Sequence, residues 1–195
     1  MKFNIVLIFI VIFISGCSLK RVGQKPQNYK LEPTKYERYV SSRKDYRTLR
    51  VQRVEGDRIV HTRALLYKQN GALKVYKYAR WSDYLTTRLQ QILTEALEEQ
   101  HIFKSVVSSK SFAVADLLLE SSLENFEEVY KGSDSYVYVK IRFRLVKRSD
   151  AKVIGSILIE HKVDVEEKNL RGVLDAYSKA LDLTLKDLSE WLHET

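Results

Sequence analysis

The sequence predicts a two-layer α+β domain, a mainly antiparallel sheet with two amphipathic helices packed on one face. Three observations carry that expectation. Residues 136–147 alternate apolar and polar side chains with a period of two, as in a half-buried strand. Asn70-Gly71 separates two strand-like runs, and a type I′ turn needs positive φ at both of its central positions. Two apolar stripes at helical spacing, one on each side of a block of strands, need a common apolar surface to cover.

The elements follow in chain order. Leu49 and Val51 alternate with polar neighbours in 47–54, a half-exposed strand. Residues 62–69 and 72–78 flank Asn70-Gly71 as a hairpin. Ser82 can cap a helix starting at Asp83, whose Leu85, Leu89, Ile92, Leu93, Ala96 and Leu97 share one stripe. Residues 116–130 read as an acidic, irregular strand. In 136–147, Val137, Val139, Ile141, Phe143 and Leu145 take one face, and Tyr138, Lys140, Arg142 and Arg144 take the other. In 153–165, Val153, Ile157, Ile159 and Val163 oppose Glu160, Lys162 and Asp164. Short connections at 131–135 and 149–152 make these three strands an antiparallel meander. Residues 169–195 form a closing helix whose stripe runs from Leu170 to Leu192, with Trp191 at its edge.

The first 16 residues read as targeting rather than fold. Lys2 is followed by ten apolar residues, Ile5 to Ile14, about half of what a membrane span requires. The small residues Ser15 and Gly16 lead into Cys17, the chain's single cysteine. Ile14-Ser15-Gly16-Cys17 resembles a bacterial lipobox, in which the cysteine thiol takes a diacylglycerol and the new amine takes an acyl chain such as palmitate. One chain anchors only marginally, and two or three on one residue anchor firmly. The expected organisation is a signal peptide over 1–16, a lipidated basic tether over 17–28 and one domain over 29–195. Ser18 in place of Asp after the cysteine resembles the default signal for the outer membrane, so the expected location is its inner leaflet, facing the periplasm.

The formal net charge is +8. It is concentrated near the anchor: residues 17–60 hold 12 Lys and Arg against five Asp and Glu. This segment is either a solvated tether or a stretch lying along anionic head groups, where each basic residue is worth about 1 kcal/mol. Nucleic acid is a poor partner for an exported chain. Roughly ten residues of tether span at most about 35 Å, which keeps the domain at its own membrane.

Catalytic chemistry has no signature here. His61, His101, His161 and His193 stand in no metal-binding spacing, and no nucleophile elbow or phosphate-binding loop is present. The chain is read as non-enzymatic, with no metal and no cofactor beyond the lipid on Cys17. The outer sheet face carries Tyr138, Lys140, Arg142 and Arg144. Either Glu120, Glu124 and Glu160 on neighbouring strands neutralise this stripe, or it binds a lipid phosphate or a partner. Trp81, between hairpin and helix, is either a core anchor or part of an interface.

Several stretches, in order, resemble the ABC-type transport auxiliary lipoproteins, the family of the paraquat-inducible protein C lipoproteins. "NYKLEP" at 28–33 is similar to that family's short Tyr-x-Leu strand. "LRVQRV" at 49–54 resembles its next strand. Residues 62–97 resemble its most recognisable part, a hairpin and an aromatic strand ending in Tyr-x-x-Trp, here Tyr78 to Trp81, then a helix. Proline often follows that tryptophan in the family, and "SDYLTTRL" has none. The resemblance implies a role in phospholipid transport between membranes, with an MCE-domain protein and, through it, an ABC permease and ATPase as partners. It implies docking of the MCE protein at the outer membrane, alone or as a homo-oligomeric ring. The alternative is a structural lipoprotein that helps assemble another envelope complex. A carrier role would need an apolar cavity.

Overall fold

The computed structural model describes residues 24–34 and 45–195. The lipobox residues Ile14, Ser15 and Gly16, with Cys17 and most of the tether, lie outside the described residues.

The described chain forms a single eight-stranded mixed sheet and two long helices, the expected α+β class. The strands are β1 (Gln27–Tyr29), β2 (Asp45–Gly56), β3 (Ala64–Gln69), β4 (Ala72–Trp81), β5 (Phe103–Ser108), β6 (Leu117–Lys131), β7 (Asp134–Lys147) and β8 (Lys152–Asp164). The helices are α1 (Leu85–Glu99) and α2 (Leu170–Glu194). The longest ladders, β6 with β7 and β7 with β8, are antiparallel, and they form the meander read from the sequence. The parallel pairings are shorter: β1 with β4, β2 with both β5 and β6, and β3 with β6.

β6 organises the sheet because it has partners on both edges. One edge carries β7 throughout its length. The other is shared by β2, beside Leu117 to Leu123, and β3, beside Glu128 and Val129. The sheet therefore forks into a β2–β5 wing and a β3–β4–β1 wing.

Both helices cover one face. Leu85, Leu89, Ile92, Leu93, Ala96 and Leu97 of α1 are buried, as are Val173, Tyr177, Leu181, Leu185, Leu188 and Leu192 of α2. At the centre, Tyr177 stacks on Phe126 at 4.7 Å and meets Trp81 edge-on at 5.2 Å. Such aromatic pairs add about 1 kcal/mol beyond the area they bury. The Tyr177 hydroxyl donates to the Leu66 carbonyl at 3.5 Å. Burial, reinforced by Glu127 and Glu128, pushes this phenol well above its ordinary pKa.

The turn at Asn70-Gly71 has φ of 52° and 78°, the left-handed pair that the hairpin reading required. Asn169 caps α2 by accepting from the Gly172 amide at 3.0 Å.

Three expectations are corrected. Ser82 does not cap α1. Its amide donates to Tyr29 at 2.7 Å and its hydroxyl to Asp83 at 2.8 Å, so it closes the β1–β4 pairing and the helix starts at Leu85. Val153 does not join the core face. A register shift between Leu145 and Val146 turns it outward, and Ile154 packs on the core instead. The strand β5 was not anticipated. β1 also begins at Gln27, inside the stretch read as tether, and Leu31 after it is buried.

Candidate docking face

The face of β6–β7–β8 away from the helices bears the residues singled out in the sequence. Alternation along β7 sends Val137, Val139, Ile141, Phe143 and Leu145 into the core, and leaves Tyr138, Lys140, Arg142 and Arg144 outside. Register aligns Glu120 with Arg144 and Ser122 with Arg142 across β6, and Lys140 with Glu160 across β8.

Neutralisation is uneven. Glu124 takes both Lys140, at 3.2 Å, and Arg142, at 3.0 Å. Partial burial raises the Glu124 pKa, but the hydrogen bonds and charges of Lys140 and Arg142 outweigh it and hold the carboxyl below its ordinary value. Glu160 accepts from the Tyr138 hydroxyl at 3.1 Å, and Lys162 lies over the Tyr138 ring at 5.3 Å. Arg144 is exposed, and among the described residues no carboxylate forms an ion pair with it. It lines an open groove of about 420 Å³ with Arg53, Glu55, Glu120 and Arg142. The sequence pointed to the β7 side of this groove. The β2 side escaped notice because it depends on the parallel β2–β6 pairing and on the register shift between Val51 and Val54.

Trp81 belongs to the core. Its side chain is 3% exposed, packed edge-on against Phe126 and Tyr177, and its backbone exchanges two hydrogen bonds with Arg63 at 2.9 Å. It offers a partner no surface, which removes it from the interface candidates.

A second polar cluster lay hidden in the acidic strand. A register shift between Leu123 and Asn125 changes the parity of β6 and sends Glu128 to the helix-covered side, 1% exposed. The Tyr76 hydroxyl donates to Glu128, and the Tyr67 ring lies edge-on between Tyr76 and Tyr130. Burial first, then the Glu128 contact, pushes the Tyr76 pKa far up. Glu127 accepts from the Asn125 amide and the Phe126 backbone, each at 2.8 Å. Both acids are held by neutral donors, a structural arrangement. Among the described residues no three His, Cys, Asp or Glu converge as metal ligands, and no helix is long and apolar enough to cross a membrane.

The domain is an α+β sheet with both helices on one face and a charged face opposite. The chain belongs to the family described as the ABC-type transport auxiliary lipoprotein component, whose model matches residues 29–189. That is a family of transport auxiliary lipoproteins, not of enzymes. Protein XCC0632 from Xanthomonas campestris, of the DUF330 family, shares the fold at a TM-score of 0.71. It is 20% identical, over 87% of this chain and 93% of its own. The hypothetical protein CT253 from Chlamydia trachomatis is more distant, with a TM-score of 0.52 and 7% identity, covering 76% of this chain and 96% of its own. No curated protein matches the sequence.

Proposed function

We propose that this chain is a non-enzymatic, lipid-anchored component of an ABC/MCE-type phospholipid transport system. Cys17 holds it to the inner leaflet of the outer membrane, and its bare sheet face docks the MCE-domain protein. The observation that carries this reading is the groove beside Arg144 on the one sheet face that no helix covers, in a member of a transport auxiliary family. Arg53 and Arg144 face the groove beside Glu55 and Glu120, none of the four ion-paired among the described residues, so it suits a polar segment that brings both acceptors and donors. Tyr138, Lys140 and Arg142 extend the same face.

The test is in-cell crosslinking of the tagged, lipidated protein from a photoreactive residue at position 144, followed by mass spectrometry. Recovery of an MCE-domain protein with its permease is the expected result. Recovery of outer-membrane barrels or export proteins alone would replace this reading with the assembly-factor role. Recovery only of the chain itself would make the face a contact between copies in a ring.

A further inference from the structure

The β3–β4 hairpin has a chemistry that the docking face does not use. From Arg63 to Trp81 the chain carries five basic residues and no acidic one. Lys68, Lys74 and Lys77 are exposed, and among the described residues none of them meets a carboxylate. Beside them, Leu73 is 49% exposed, Val75 52% and Tyr78 48%. Lys77 lies over the Tyr78 ring at 5.0 Å. Lysines interleaved with exposed apolar and aromatic side chains match an anionic lipid surface. The ammonium groups meet phosphates while the apolar groups enter the head-group boundary.

The tether leads to the same place. β1 pairs with β4 in parallel register, Gln27 with Ala79 and Tyr29 with Trp81. Arg63 and Arg80 both donate to Asn28, at 2.9 and 2.7 Å, and pin β1 there. Followed backwards from Gln27, the chain therefore heads along β4 toward the turn at Asn70-Gly71. Ten residue steps lead from Cys17 to Gln27, a reach of at most about 35 Å. The eight residue steps from Ala79 back to Gly71 span about 26 Å as a strand. A fully stretched tether outreaches the hairpin tip by only about 10 Å, close to one Debye length.

We propose that the β3–β4 hairpin is a second membrane contact, with Lys68, Lys74, Lys77, Leu73 and Val75 resting on the anionic phospholipids of the bilayer that holds Cys17. This rests on the anchor reading given above. It would orient the domain, turning the hairpin to the lipid and the end of the sheet that carries the start of β6 away from it. A second copy of the chain is a weaker occupant, because two hairpins of like charge repel.

The experiment uses the lipidated full chain carrying Val75→Cys, labelled with an environment-sensitive fluorophore and reconstituted into phosphatidylcholine vesicles with or without phosphatidylglycerol. The number of labels per chain reads the anchor, since a lipidated Cys17 leaves one thiol and a free one leaves two. The expected result is one label, with a blue shift only when phosphatidylglycerol is present. The shift is lost in the combined Lys68→Glu, Lys74→Glu, Lys77→Glu variant, whose melting temperature stays at the parent's. Without the anchor, in a Cys17→Ala background, that variant loses vesicle binding more than about tenfold. One label with water-like emission on both vesicles overturns the hairpin contact and leaves the anchor standing. A shift that grows with protein concentration in the absence of vesicles makes the hairpin a contact between copies and overturns the proposal. Two labels per chain sink the anchor reading, and the phosphatidylglycerol-dependent shift in the Cys17→Ala background then decides the hairpin alone.

Discussion

Tyr76 and Glu128 depend on each other. The carboxyl is almost wholly buried, and the Tyr76 hydroxyl is its side-chain donor. Removing one member of a buried pair leaves the other unsatisfied, at about 1–3 kcal/mol. Tyr76→Phe should therefore lower stability by that amount at pH 7, read by urea unfolding. Glu128→Gln should cost less, because an amide oxygen still accepts the bond. The phenol also makes the fold sensitive to alkali. Its folded pKa lies above its unfolded value of about 10, so its stabilisation is complete below pH about 10. It is lost as pH rises beyond that, when the unfolded chain releases a proton that the folded one keeps. A pH titration of the urea midpoint should show stability falling above that value, less steeply in Tyr76→Phe. Trp81 sits in the same core, and Trp81→Ala should cost about 3–5 kcal/mol, a loss seen in thermal melting. If that variant melts like the parent, the tryptophan is not the anchor its burial indicates.

At the scale of elements, α2 is fixed at its first turn. A Cβ on Gly172 would stand 2.1 Å from the Glu167 carbonyl oxygen, which is backbone and cannot step aside cheaply. Gly172→Ala should destabilise by about 2 kcal/mol or more. Asn169→Ala, which removes only the cap, should cost about 1 kcal/mol. Comparing the two melting temperatures separates crowding from capping. The helices, the β3–β4 hairpin and the β6–β7–β8 meander were legible because their signals are local: stripes, alternation and an Asn-Gly turn. What escaped were features set by distant pairing. β5 is six residues long, and its partner β2 lies about 50 residues earlier. The reversal at Glu127 and Glu128 comes from one extra residue in β6, and a period-two reading cannot register it. The outer stripe of β7 was readable as a stripe. That Lys140 and Arg142 share Glu124 while Arg144 is left to the groove was not, because register alone also offered Glu120 and Glu160 as partners.

Across the whole molecule, the forked sheet has a consequence for the order in which the chain acquires structure. β2 and β3 both complete their pairing on β6, which begins only at Leu117. Until β6 is present, the first half of the domain holds the β1–β4–β3 unit and the parallel β2–β5 pair with α1 packed on it, two wings that no strand joins. Joining the wings must therefore wait for the β6–β7 hairpin, the longest ladder, whose free β6 edge takes both β2 and β3. Pairings of such sequence separation are slow to close, so refolding should fall in the millisecond-to-second range rather than the microsecond one. A chain truncated at residue 112 should show no cooperative unfolding transition, whereas truncations within the last turn of α2 should keep one. A domain of this kind leaves its two wings unjoined while its first hundred residues emerge, and then seats both on one edge of a strand that arrives late.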